Sequence, residues 1–276
     1  MNLQVFENRF YICATLKMDT PLSIGSRPSL KPVGTDLPVL RDAEGLPYIP
    51  GSSIKGVVRT QMERVLRTLE VGGYGIEDGS SITPLRACDP LSKEKSCVNG
   101  NRIKELRKEY TTEEMLTSKV WEESCTACRI FGSPWLASRV YFKDSKISNK
   151  DELVRLFEIR DGVAIDRDLG TAKGGLKFDF EVVPAGAKFY VEIVGENMKP
   201  WEVGLLLLSI KPWERGEMCI GGKTTRGLGW GRLENLRVQL VDQGALLNYL
   251  IRGEKADKSP EEFEQVFVNS LRGKRG

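Results

Sequence analysis

The chain has 276 residues, with 41 Lys/Arg against 38 Asp/Glu for a formal charge of +3, six cysteines and no histidine. The missing histidine excludes serine–histidine and cysteine–histidine nucleophile pairs and leaves Cys, Asp, Glu and backbone oxygen as metal ligands. A hydrophobic fraction of 40% and a charged fraction of 29% exclude wholesale disorder, while +3 is too small to mark nucleic-acid binding by itself.

Phe10, Ile12, Ala14, Leu16 and Met18 alternate with polar neighbours, which predicts a strand with one buried face. From Thr20 to Gly51 the chain is rich in Pro, Gly and Ser and reads as a long loop of the kind that is often functional. Ser52 or Ser53 is expected to cap the following helix, whose stripe is Ile54, Val57, Val58, Met62, Val65, Leu66 and Leu69 and whose stop is Gly72–Gly73. Residues 73–130 form an insertion holding Cys88, Cys97, Cys125 and Cys128, with a charged helix expected over 101–123. Arg139 to Lys143 alternates as a strand that presents Arg139, Tyr141 and Lys143 outward. Residues 148–186 form a second insertion, followed by a strand marked by Phe189, Val191 and Ile193.

Pro200 opens a helix that should stop near Pro212. A glycine-rich loop and a last strand, Trp230 to Val241, follow, and an amphipathic helix near 259–271 occupies the tail. The order β-α-β-β-α-β predicts an α+β fold with a modified ferredoxin-like (RRM-like) core. Residues 1–241 would form that domain, insertions included, and 242–276 a C-terminal helical tail. No run approaches a bilayer span, the longest being Val203 to Ile210, and the N-terminus lacks a leader pattern. A cytoplasmic protein with no membrane partner is therefore expected, with its thiols reduced and their spacing better read as metal chemistry.

Two local motifs suit anions. Gly221–Gly231 places five glycines in eleven residues, which lets backbone amides approach a ligand, and Lys223 and Arg226 add charge beside Gly221, Gly222, Thr224 and Thr225. A flexible turn is the plain alternative, and a Walker A loop fails because Glu217 stands where its first glycine belongs. In Leu46–Gly56, Pro50 and Gly51 make a turn and put Ser52, Ser53 and Lys55 in the first helical turn, with Arg59 one turn on. An ordinary capped helix would look the same. Five Lys/Arg and two Glu between Lys211 and Arg232 concentrate positive charge beside the glycine loop. In the cysteine set Cys88-x8-Cys97-x27-Cys125-x2-Cys128, the last pair is a zinc half-site and the first gap is wider than usual. Without histidine, four thiolates are the natural shell for a structural zinc, which would leave no open position for water.

Taken together, Ser23-Ile-Gly25, Pro50-Gly-Ser-Ser-Ile-Lys-Gly56, Cys128-Arg-Ile-Phe-Gly-Ser133, Ser138-Arg-Val140 and the loop at 221–231 resemble the RAMP superfamily of CRISPR-associated proteins. Within it the chain resembles the backbone subunit of type III (Csm/Cmr-like) effector complexes, over residues 8–240. The resemblance implies copies stacked as a homo-oligomeric filament on guide RNA, pairing with complementary target RNA beside other effector subunits. It also implies that Asp36, before Pro38-Val-Leu-Arg-Asp42, cuts target RNA, and the expected role is a base or the holder of a divalent cation such as Mg or Mn, although Thr-Asp-x-Pro is equally a turn signal. Residues 160–180 resemble a thumb hairpin that displaces one nucleotide at a regular interval, with Arg160, Arg167, Lys173 and Lys177 facing phosphates; a solvated hairpin is the alternative. Three other functions stay open: a non-catalytic scaffold, a standalone nuclease for guide precursors, and a phosphate-dependent metabolic enzyme. Many processing relatives rely on histidine, which this chain lacks.

Overall fold

Alternation at the start of the chain produces β1 (Asn8–Met18), with Phe10, Ile12, Ala14, Leu16 and Met18 all buried. The computed structural model describes residues 5–25, 35–79, 81–92, 94–168 and 170–273. After β1 come β2 (Tyr48–Ile49), α1 (Gly51–Val71), β3 (Gly75–Asp78) and β4 (Ser81–Pro84). Then follow α2 (Gly100–Glu109), α3 (Glu113–Glu123), α4 (Thr126–Phe131), β5 (Val140–Phe142), β6 (Ser145–Lys146), β7 (Glu158–Ile165) and β8 (Ala172–Val182). The chain continues through β9 (Lys188–Glu196), α5 (Pro200–Glu214), β10 (Met218–Cys219) and β11 (Trp230–Asp242). Its last described elements are α6 (Leu246–Arg252), β12 (Ala256–Lys258), α7 (Pro260–Ser270) and β13 (Leu271–Arg272).

The main sheet is antiparallel, in the order β10-β11-β1-β9-β5, with β12 added to β11. Its inner face shares one core with α1 (Ile54, Val58, Met62, Leu66) and α5 (Val203, Leu206, Leu207, Ile210). Phe263 and Phe267 of α7 enter the same core, where Phe263 meets Phe10 edge-on at 5.3 Å. The insertion is tied back as well, because β13 pairs with β3. Among the described residues no helix is long and apolar enough to cross a membrane.

Three local expectations are corrected. The charged run over 101–123 is two helices, since Thr112 caps α3 through its hydroxyl to the Met115 amide. The pair closes around Ile103, Leu106 and Val120, with Arg102 donating to Glu123. Neither Ser52 nor Ser53 caps α1; the cap is Pro50, and the Gly51 amide donates to Asp144 Oδ1 at 2.8 Å. Glycine is required at 51 because a Cβ would lie 2.0 Å from the Phe142 carbonyl oxygen. Helix α5 does stop near Pro212, at Glu214, its last turn anchored by the buried Trp213. Finally α6, with no apolar stripe long enough to reveal it, covers part of the outer sheet face, where Tyr249 and Tyr11 hydroxyls meet at 2.6 Å.

Candidate functional site

Asp36 is exposed, and its Oδ2 accepts a hydrogen bond from the Asp179 amide of β8 at 3.0 Å. The segment after it lies along β8 like a short extra strand. Leu37 bridges Phe180 in parallel register; the Leu37 amide donates to Asp179 O and the Glu181 amide to Leu37 O. On its other side Val39 bridges Gly25, and the Leu40 amide donates to Ile24 O. Residues 26–34 of the long loop, and with them Gly34, lie outside the described residues. The second insertion is an antiparallel hairpin of β7 and β8, with exposed Arg160 on one arm and exposed Arg167 at the tip. Lys173 and Lys177 are on β8, and their side chains lie outside the described residues.

The glycine-rich loop reaches the same place. Lys223 Nζ sits 4.2 Å from the centroid of the Phe180 ring, and Leu228 packs with Phe180, Val182 and Leu37. Burial, and secondarily Arg226, holds the Lys223 ammonium below its usual pKa. The loop is fixed by the Gly222 amide on Ser23 O and the Gly229 amide on Pro21 O. Gly229 has φ +79°, and a Cβ there would lie 2.0 Å from Ile220 O, so no other residue fits. Gly221, Gly222, Thr225 and Arg226 are exposed, and Thr224 begins a short turn of helix. The Asp36 segment, the hairpin base and the glycine loop thus converge on Phe180, although Asp36 lies 143 residues before its β8 partner Asp179. Sequence reasoning missed Phe180, Glu181 and Arg41 here. The only local signal was the basic-acidic pattern after Pro38.

The other expected RNA-facing residues divide. Ser52 is exposed and Ser53 half-buried, both in the first turn of α1. Lys55 donates to Ser138 Oγ at 3.1 Å, and burial followed by Arg59 lowers its pKa. Arg59 is turned inward: it donates to Glu63 Oε1 at 2.8 Å, to the Gly132 carbonyl oxygen and to Cys128 Sγ at 3.8 Å. Arg139 is also a correction, because it is buried rather than outward. It precedes β5, so the alternation does not extend to it. Its guanidinium binds both oxygens of Glu202, the carbonyls of Arg129 and Asn197, and the Trp121 ring face. The outer sheet face around Tyr141 is charge-balanced by the cross-strand pairs Lys143–Glu192, Lys17–Glu234 and Arg9–Glu196.

The four insertion cysteines form one cluster, with all Sγ atoms within 4.8 Å of one another. Cys125 and Cys128 open α4 and are buried; Cys88 and Cys97 come from the loop between β4 and α2 and are half-buried. A tetrahedral thiolate shell with bonds of about 2.3 Å needs sulfurs this close, so the set could hold a metal such as zinc. Hydrogen bonds from Cys128 and Cys88 pull the Cys125 thiol down to about 7, and those from Cys125, Cys128 and Cys88 pull Cys97 down further. Hydrogen bonds with Cys125 push the Cys88 and Cys128 thiols up in turn, so the four sulfurs hold their protons unequally.

A family model described as RAMP superfamily matches residues 15–234. The chain is 29% identical over 262 residues to a protein of Methanocaldococcus jannaschii named CRISPR system Cms endoribonuclease Csm3, covering 91% of this chain and 87% of that one. Proteins of the same name are 26% identical over 279 residues in Methanothermobacter thermautotrophicus, covering 95% and 96% of the two chains. In Mycobacterium tuberculosis the figure is 27% over 259 residues, covering 83% and 87%.

Proposed function

The chain belongs to the RAMP superfamily, and on that premise we propose that it is the guide-RNA-binding backbone subunit of a type III CRISPR effector complex and cuts target RNA through Asp36. The relatives' shared name, an endoribonuclease of a CRISPR system, supports an RNA-binding and RNA-cleaving subunit. The observation that carries the finer reading is the meeting of Asp36, the β7–β8 hairpin and Lys223 at Phe180. A nucleotide pushed aside by the hairpin would leave its flanking phosphate beside both a carboxylate and a cationic glycine-rich loop. The sheet order β11-β1-β9-β5, crossed by α1 and α5, supports a ferredoxin-like core within residues 1–241, extended by the tail 242–276.

In the proposed reaction Asp36 assists removal of the proton from the ribose 2′-hydroxyl. The 2′-oxygen then bonds to phosphorus and the bond to the 5′-oxygen breaks. The 5′-oxygen takes up a proton, leaving a 2′,3′-cyclic phosphate and a 5′-hydroxyl. Among the described residues the only group of three or more close metal ligands is the cysteine set, so Mg or Mn would be shared between Asp36 and the RNA itself. Zinc at Cys88, Cys97, Cys125 and Cys128 would be structural, because four thiolates leave no site for water. Ser52, Ser53, Lys55, Arg160, Arg167, Lys173 and the 221–226 loop would contact guide and target backbones. Several copies would line the guide in the cytoplasm, flanked by other effector subunits.

Asp36→Ala in the assembled complex is expected to abolish target cleavage while guide and target binding persist, measured by gel analysis of end-labelled target and by filter binding. Full cleavage by that variant would reduce the subunit to a scaffold.

A further inference from the structure

The site described above leaves one question of precision. Asp36 projects from an irregular loop, yet a cleaving carboxylate must be held within about 0.5 Å of its productive position. The backbone bonds of Leu37 and Leu40 guide the loop, but a side-chain lock lies one step further along. Glu181 of β8 accepts the Val39 amide on Oε2 at 3.0 Å. Arg41 Nη2 donates to both oxygens of the same carboxylate, at 2.8 and 2.9 Å. The Arg41 guanidinium is in turn stacked 3.8 Å from the centroid of Phe157, just before β7. The Glu181 side chain is only 12% exposed, against 40% for Arg41, so the pair is sheltered on the acidic side. Charge-assisted bonds of this kind are about twice as strong as neutral ones, and here one cationic nitrogen engages both carboxylate oxygens.

We infer that Glu181 and Arg41 are positioning residues that clasp the Asp36 loop to the β7–β8 hairpin and so fix which phosphate is cut. This rests on the reading of Asp36 as the cleaving residue. Because one carboxylate holds both a loop amide and a loop side chain, the hairpin and the loop move as one body. The displaced nucleotide and the attacked phosphate are then kept at a constant offset. Neither Glu181 nor Arg41 needs to touch RNA for this.

The test uses whole reconstituted complex carrying Glu181→Ala, Glu181→Gln, Arg41→Met or Asp36→Ala, with guide and target binding measured in each. For Glu181→Ala, single-turnover cleavage at saturating target should fall at least about tenfold, since misplacement by about 1 Å can cost on the order of 100-fold. Its products should spread to neighbouring phosphates, target affinity should stay unchanged, and the Leu37 and Val39 amides should exchange faster. Glu181→Gln keeps an acceptor for Val39 and should retain an intermediate rate, as should Arg41→Met. A purely structural role would lower the amount of folded subunit without moving the cut position. Wild-type rate and a single cut position in Glu181→Ala, with Asp36→Ala inactive, would overturn the clasp alone. Full activity in Asp36→Ala would overturn the site reading, and the clasp with it.

Discussion

Arg139 shows how far a single side chain can depart from what its neighbours suggest. Alternation with Tyr141 and Lys143 aims it at solvent, yet only 3% of its side chain is exposed, against Glu202 at 5%. Removing one partner of such a pair leaves a buried charge without compensation, typically at a cost of about 3–5 kcal/mol. Glu202→Ala should lower unfolding stability by that order in chemical denaturation, while RNA affinity of the surviving folded protein stays unchanged. At this scale the cysteines were legible, because a histidine-free chain with a Cys-x2-Cys pair has few other uses for four thiols in one insertion. The partners Phe180 and Glu181 were not. Their roles come from strand pairing over more than 140 residues, which leaves no local periodicity to read.

The insertion between α1 and β5 is the element that most needs help to fold. Its own apolar cluster contains only four buried residues, Val98, Ile103, Leu106 and Val120. Much of the rest of its order is tied to the cysteine cluster and to α1, from which Arg59 reaches Cys128 and Arg67 reaches the Cys88 carbonyl oxygen. With zinc as the proposed occupant of the cluster, its chelation should speed amide exchange in α2–α4 first and leave β1, β9 and β11 protected. Exchange that rises uniformly, or not at all, would count against a structural metal. Arg59→Gln should weaken zinc retention in a competition titration, because it removes a cation that donates to Cys128 Sγ. The sequence periodicity marked α1 and α7, whose apolar stripes face the core, while Pro200 and an unbroken apolar run marked α5, which is buried nearly all round. It merged α2 with α3, since the Thr112 cap sits inside an unbroken run of charged residues.

Charge at the scale of the molecule is arranged more sharply than the net +3 suggests. The outer sheet face cancels its own charge in cross-strand pairs, while Lys223 and Arg226 lie together on the glycine loop. RNA binding should weaken with salt, and Lys223→Ala or Arg226→Ala should each flatten the log–log slope by about 0.7–0.9. Lys143→Ala should leave that slope unchanged. The order of strands and helices was readable from the sequence because each core element carries its own period or, in α5, an unbroken apolar run. Which strands adjoin was not, and that adjacency has a consequence in time. Strand β1 lies between β9 and β11, which are made some 170 or more residues later. At about 5–20 residues per second a ribosome needs roughly 10–35 s to supply the first of them. Throughout that interval an apolar strand waits with both edges open, so the central strand of the finished sheet is the nascent chain's most vulnerable segment.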